Sequence, residues 1–413
     1  MSNLPKGWES VELGSVCKIN GRIGFRGYTV NDLVERNQGG AIALSPSNII
    51  GNKLDLSKCT YISDFKYEES PEIKIFNGDI ILVKTASIGK TALVENLLEK
   101  ATLNPQLVVL KDIKINNVFL SYIISSLIIQ KQIKQTSGGG VLQTLSQKQI
   151  AKYIFPLPPL EEQKKIADIL STVDKKIAFV EENINATEEL KKGLMQKLLT
   201  EGIGHTEFKD SELGKIPESW EVVKLEEVCT KIVGGGTPSK NEPDYWNNGT
   251  IPWVTPSEFT KSKSNYISVT ESKISEEGLK NSSATLLAIG TVIMSSRATI
   301  GECKINTIEI TTNQGFISFQ CNDLLNNLYL LYFIKQNKPN ILKISSGSTF
   351  LEVSRTSMKN FSIAIPPLEE QKQIAEILST VDKKLENLKE KKQSFEELKK
   401  GLMQKLLTGE VRV

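Results

Sequence analysis

The side chains able to do chemistry are few and scattered. The 413-residue chain has one histidine, His205, and five cysteines, Cys17, Cys59, Cys229, Cys303 and Cys321, with no C-x-x-C among them. That argues against a disulfide framework, a zinc module and a histidine-centred triad, and makes a reducing cytoplasm the default setting. Gly89-Lys90-Thr91 ends like a phosphate-binding loop, but the glycine needed five residues earlier is Lys84. Asn104-Pro105-Gln106-Leu107 lacks the second proline and the aromatic of the Asn-Pro-Pro-aromatic motif, and no G-x-G-x-x-G cofactor loop accompanies it. Glu161 and Glu162 open a helix and read as solvated partners of its dipole. No metal site and no self-contained active site emerges; catalysis by this chain is not expected.

Binding is better served. Ser137-Gly138-Gly139-Gly140 is followed by Gln143, Gln147, Lys148 and Gln149. Its counterpart is Ser345-Ser346-Gly347-Ser348-Thr349, followed by Arg355 and Lys359. Lys231-Ile232-Val233-Gly234-Gly235-Gly236-Thr237-Pro238-Ser239-Lys240 is a similar case in the second domain, with Ser295-Ser296-Arg297 beside it. Glycine backbone approaches phosphates closely, glutamine suits adenine, and arginine or lysine suits guanine in a major groove. An ordinary turn before a polar helix is the alternative for each loop.

The elements that position these loops are written twice. Residues 158–176 recur at 366–384 with two substitutions, and 188–200 recur without change at 396–408, both at an offset of 208. Upstream, Trp8, Cys17 and Ile88-Gly89 recur at an offset of 212 as Trp220, Cys229 and Ile300-Gly301, with mostly unrelated sequence between. The repeated blocks carry apolar residues in alternating steps of four and three: Ile166, Leu170, Val173, Ile177, Val180, Ile184, then Thr187, Leu190, Leu194 and Leu198. The second copy gives Ile374, Leu378, Val381, Leu385 and Leu388, then Lys392, Phe395, Leu398, Leu402 and Leu406. That is the seam of a coiled coil, irregular past its middle. Prolines before it, glutamates in the first turn and a late lysine and glycine mark its ends.

Each helix of about forty residues spans roughly 60 Å. The linker from Glu201 to Ile216 reaches about 53–58 Å fully extended, too short to retrace the helix. The two helices are therefore expected to pair with each other, antiparallel, rather than each packing only on its own domain. The fold class that follows is α+β. Two mixed α/β domains, 1–157 and 217–365, are separated by helices at 158–200 and 366–413, with a linker at 201–216 and a pseudo-twofold internal repeat. Period-two runs such as Gly78 to Val83 and Gly290 to Met294, with Ile42 to Leu44 and Ile251 to Val254, supply strands, and Asn116 to Lys134 and Asn326 to Lys335 supply helices.

Charge is uneven. Residues 1–157 carry 18 basic and 13 acidic side chains, whereas 217–365 carry 14 of each, and the whole chain is +3. That is weak support for nucleic-acid binding, so much of any phosphate contact would come from partners. No stretch reaches eighteen consecutive apolar residues, and the first residues lack a secretory apolar segment. No membrane role is expected.

The duplicated Pro-Pro-Leu-Glu-Glu-Gln-Lys-x-Ile-Ala-x-Ile-Leu-Ser-Thr-Val-Asp and Leu-Lys-Lys-Gly-Leu-Met-Gln-Lys-Leu-Leu-Thr segments resemble the DNA-specificity (S) subunit of type I restriction–modification systems. So do His205 to Gly214, Gly235 to Ser239 and Ile251 to Pro256, and the resemblance spans the chain. It implies two target recognition domains, each reading half of a bipartite, asymmetric double-stranded DNA site. It also implies that the helices act as a spacer and dock two methyltransferase (modification) subunits, with restriction subunits joining them. S-adenosylmethionine, ATP and Mg belong to those partners, and no cofactor to this chain. The candidate DNA-binding residues are Gly138, Gly139, Gly140, Gln143, Lys148, Gly235, Thr237, Ser239, Lys240, Arg297, Ser346, Gly347, Ser348, Arg355 and Lys359. The helix-pairing residues are Ile166, Leu170, Val173, Ile177, Val180, Ile374, Leu378, Val381, Leu385 and Leu388. A rival reading is a bivalent coiled-coil adaptor whose end domains bind proteins; another is a fragment of a fused restriction–methylation enzyme.

Overall fold

A computed structural model describes residues 4–136, 144–261, 263–347 and 351–413. The chain divides into two compact units, one of residues 1–181 with 390–413, the other of residues 182–389. Each unit thus combines a mixed α/β body with the start of one long helix and the end of the other.

The first unit holds an antiparallel sheet ordered Lys18–Gly21, Leu107–Lys111, Ile80–Val83, Thr91–Leu93. A second sheet pairs Ala101–Leu103 in parallel with Ala41–Leu44, then adds Tyr61–Ile62 and Leu33–Val34. Ile80 to Val83 and Leu107 to Leu110 are buried on both faces, which is why they read as continuous apolar runs. The second unit repeats the first sheet as Cys229–Gly234, Phe316–Cys321, Val292–Ser295, Cys303–Asn306, and adds Tyr266–Ile267 in parallel. Its three-stranded sheet is ordered Ser272–Ile274, Ile251–Val254, Thr311–Thr312. The topology is held where the sequence has diverged, because burial of the central strands constrains apolarity and not identity.

The apolar stretch expected as one helix from Asn116 is two. Asn117–Ser125 and Leu127–Thr136 meet at Ser126, whose hydroxyl donates to the Ile123 carbonyl at 2.7 Å and accepts from the Ile128 N–H at 3.2 Å. A serine that bonds its own backbone competes with the helical ladder. The helix Asn327–Gln336 in the second unit ends at Asn337, before Pro339.

The long helices run Leu160–Leu198 and Leu368–Thr408. Glu161, Glu162, Glu369 and Glu370 fill the first turns, and Lys197 and Lys405 the last, matching the helix dipole at each end. In the first unit, Asp174 and Glu181 pair with Lys399 and Lys392, at 2.6 and 2.8 Å. In the second, Glu188 and Lys191 pair with Lys389 and Asp382, at 2.7 and 2.6 Å. Numbers rise on one helix as they fall on the other, so the pairing is antiparallel within each unit. Ile166, Leu170, Val173, Val180, Ile374, Leu378 and Leu385 are buried, and Ile177, Val381 and Leu388 are partly so.

Two points differ from the sequence reading. The helices pair with each other and also pack on the α/β bodies. Ile166 and Leu170 share a core with Phe119, Phe155, Leu406 and Leu407, and Ile374 and Leu378 share one with Trp220, Tyr329 and Leu198. The late seam also passes elsewhere: Leu190 and Leu398 are 51% and 48% exposed, whereas Lys191 and Lys399 face the opposite helix.

Candidate nucleic-acid interface and its helical frame

The repeated motif earns its residues by joining body to helix. Glu162, expected on the surface, is buried and accepts from the Trp8 indole N–H at 3.0 Å and from Arg412 at 2.9 Å. The Arg412 hydrogen bond holds its carboxyl below the usual range. Glu370 repeats this with the Trp220 indole N–H at 3.1 Å and His205 at 2.8 Å. His205 therefore braces a carboxylate rather than standing alone in a linker. Gln163 and Gln371 each accept from the N–H of an asparagine that caps a helix of the α/β body, Asn116 for Asn117–Ser125 and Asn326 for Asn327–Gln336, at 3.0 and 2.8 Å. Farther along, Asp174 takes the Tyr122 hydroxyl at 2.6 Å and Asp382 takes that of Tyr332 at 2.7 Å. Burial works against the Asp382 carboxylate, yet hydrogen bonds from Lys191, Tyr332 and Asn265 hold its pKa below the ordinary value. None of these long-range partners can be read from sequence spacing.

On this frame each body carries the same corner. Lys84 to Gly89 and Ser296 to Gly301 follow equivalent strands, with left-handed backbone at Ala86 and Ala298 (φ 65° and 55°) and at Gly89 and Gly301 (φ 90° and 84°). Alanine in that region costs energy and needs its neighbours to hold it. The neighbours are equivalent too: the Leu145 N–H donates to the Lys84 carbonyl at 2.9 Å, and the Val353 N–H to the Ser296 carbonyl at 3.1 Å. This places the segment leaving each expected glycine-rich loop beside an exposed turn.

Gly138, Gly139, Gly140 and Gln143 lie outside the described residues, as does Ser348. Ser346 and Glu352 exchange both backbone hydrogen bonds at 2.9 Å, closing the loop that holds Gly347. Arg297 spends its Nε on the Glu352 carboxylate at 2.8 Å, beside that closure. Arg355 opens a short helix capped by Ser354, is exposed, and has no ion pair among the described residues. Lys359 closes that helix, partly buried, while Lys148 sits exposed on the equivalent helix Gln147–Ala151. The corner, Ser346, Gly347, Arg297 and the Arg355 helix thus come together in the second unit.

The Gly235 loop is built differently from the expectation that its backbone is open to phosphate. The Gly235 and Gly236 N–H groups already donate to the Phe316 and Thr312 carbonyls, at 3.2 and 2.8 Å. A Cβ at Gly235 would lie 1.8 Å from the Asn313 carbonyl oxygen. Glycine is required there by close packing inside the domain. Thr237 bonds Gln314, the Ser239 carbonyl accepts from the Trp246 indole N–H at 3.0 Å, and Lys240 is exposed. The counterpart in the first unit was missed by sequence reasoning. Arg22 is buried, donates to the Leu103 carbonyl at 2.8 Å and to Thr102 at 3.1 Å, and stacks over Tyr28. Its signal was the alternation of glycine and arginine from Gly21 to Gly27 after a strand.

The family model for the type I restriction modification DNA specificity domain matches this chain twice, over residues 5–189 and 217–397. The chain belongs to that family. Sequence recognition on DNA is the family's task, and both matches run from a body into the start of a long helix and beyond. Among relatives, the type I restriction enzyme MjaX specificity subunit of Methanocaldococcus jannaschii is 30% identical, over 100% of this chain and 96% of its own length. The MjaVIII specificity subunit of the same organism is 29% identical, over 99% and 94%. The type I S subunit from M. genitalium shares the fold at 14% identity, with a TM-score of 0.60, over 98% of this chain and 97% of that one. Among the described residues no helix is long and apolar enough to cross a membrane, and no cluster of acidic, histidine or cysteine side chains could hold a metal.

Proposed function

We propose that this chain reads a bipartite, asymmetric site on double-stranded DNA, one half with each α/β body, and that the paired helices fix the unread gap. The observation that carries this reading is that two bodies of equivalent topology but different surface sequence stand on the same frame, Trp8–Glu162 in one unit and Trp220–Glu370 in the other. Equal mounting with unlike surfaces is what two unlike half-sites require. The candidate contacts are Lys148, Arg297, Ser346, Gly347, Arg355 and Lys359, with the loops around Gly138 and Ser348. Thr237, Ser239 and Lys240 flank the packed Gly235.

The chain supplies no catalysis by itself. Two methyltransferase subunits dock on the helices and bring S-adenosylmethionine for adenine methylation; restriction subunits bring ATP and Mg, in the cytoplasm. Recognition by groove contact needs each domain to act alone. Replacing residues 1–157 by the first domain of another specificity subunit tests this. Methylome sequencing should show one half-site changed and the other intact; both halves changing contradicts the reading.

A further inference from the structure

Cys229 and Cys321 stand directly opposite each other, at one end of the antiparallel ladder between strands Cys229–Gly234 and Phe316–Cys321. Beside them the Asn322 N–H donates to the Val228 carbonyl at 3.1 Å. On the inner side the register shifts, and the Thr230 hydroxyl donates to the Gln320 carbonyl at 3.1 Å. The two cysteines are therefore a non-hydrogen-bonded pair, a position where Cα atoms approach to about 4.5 Å and both side chains share one face. A disulfide spans about 4.4–6.8 Å between Cα atoms, so the ladder already has bridging geometry here.

These two thiols are held unlike the other three. The Cys17, Cys59 and Cys303 thiols donate to the Leu13, Leu56 and Leu331 carbonyls at 3.3, 3.4 and 3.3 Å. Burial pushes Cys17 and Cys303 up to about 12, which keeps them as unreactive thiols. The Cys321 thiol instead hydrogen-bonds to the Cys229 sulfur, and that contact first, then burial, raises it above the usual thiol range. Its proton is thus held by its partner, and the hold ends once that partner is oxidised. Cys229 is buried, whereas Cys321 is partly exposed and gives the pair its access to solvent. The first unit has no counterpart: Cys17 holds the place of Cys229, but the ladder there ends with Lys18 opposite Lys111, and Asp112 follows.

We propose that Cys229 and Cys321 form a reversible oxidation site, a dithiol that a small hydroperoxide converts into one intrachain disulfide. The Cys229 sulfur attacks one peroxide oxygen: an S–O bond forms, the O–O bond breaks, and the leaving oxygen departs as water or alcohol with the Cys229 proton. The Cys321 sulfur then attacks the sulfenic sulfur; the S–S bond forms, the S–O bond breaks, and water leaves with the Cys321 proton. Two thiols give up two electrons and two protons, and the peroxide accepts them. The bridge closes a loop of about ninety residues that contains most strands of the second body, so it staples that body and not the first. In a reducing cytoplasm such a bond is transient, which makes it a sensor of oxidant and not a permanent link.

The test is peptide mapping by mass spectrometry of the full chain, exposed as reduced protein to hydrogen peroxide and then alkylated in denaturant. One bridge joining the Cys229 and Cys321 peptides is expected, with alkylated thiols falling from five to three and returning to five after dithiothreitol. The oxidised chain should melt about 5–10 °C higher than the reduced one. Cys229→Ser and Cys321→Ser should each abolish the bridge and the rise, and Cys321→Ser should leave a sulfenic acid on Cys229 that dimedone traps. Peroxide that leaves all five thiols free, or that bridges Cys59 or two chains instead, overturns the site. That result is read on the wild-type protein, so it holds whether or not the serine variants fold. A bridge between Cys229 and Cys321 that forms without raising the melting temperature overturns the staple.

Discussion

Asp174 on the first long helix lies 2.6 Å from Lys399 on the second, and in the other unit Lys191 and Asp382 make the same contact with the helices exchanged. Each carboxylate also accepts a tyrosine hydroxyl from its own α/β body, Tyr122 or Tyr332. One acidic side chain thus ties three elements together in each unit.

Removing the charge from one member leaves the other poorly partnered. Asp382→Asn should destabilise the protein by about 1–3 kcal/mol, and Lys191→Met by a similar amount. Because both report one interaction, their effects should fall short of additive in the double variant. Urea unfolding of the four proteins measures the coupling; full additivity would show that the pair does not interact.

The same carboxylate sets a pH dependence. Its folded pKa lies below the ordinary value, so the stability it contributes is present above about pH 4 and is lost as pH falls through the lower folded value. Glu162, held low first by Arg412, acts in the same direction. Stability measured between pH 6 and pH 3 should fall, and Asp382→Asn should flatten that fall.

Trp8 is buried and its indole N–H has Glu162 as acceptor. Glu162→Leu leaves that donor unmet and should cost about 1–3 kcal/mol, whereas Glu162→Gln keeps an acceptor and should cost less. Thermal unfolding of both variants, with tryptophan fluorescence reporting the site, orders them.

Gly235→Ala should destabilise the second unit by about 1–3 kcal/mol, since its new Cβ would sit 1.8 Å from a backbone oxygen. The loss should appear in unfolding without DNA, which separates packing from phosphate contact. Unchanged stability would remove the packing explanation.

Arg355 is exposed and unpaired among the described residues, so its guanidinium is available to a base edge. If it reads one, Arg355→Ala should cost about 1–3 kcal/mol of discrimination at a single position. Binding measured against single-base variants of the site decides this, because a phosphate contact would weaken all sequences alike.

The repeat, the long helices and their pairing were legible because they are written as period and identity. The late seam was not. After Thr187 the heptad continues at Lys191, and a lysine there looks like a break until Asp382 is seen opposite it. Leu190, one residue earlier, drew the seam toward solvent. Glu162 looked solvated because its partner, Trp8, is 154 residues away. The glycines at 235 and 236 looked permissive toward phosphate, whereas their amides already serve Phe316 and Thr312. In each case the deciding group comes from another element, which local spacing does not record.

In the proposed reading, helix length sets the distance between the two half-sites. Matched seven-residue insertions in both helices, at 181 and at 389, preserve the heptad and lengthen each by about 10 Å, or roughly three base pairs. Methylome sequencing of cells carrying that chain should return both half-sites unchanged with a wider gap between them. An unchanged gap with robust methylation, or altered half-sites, would contradict it.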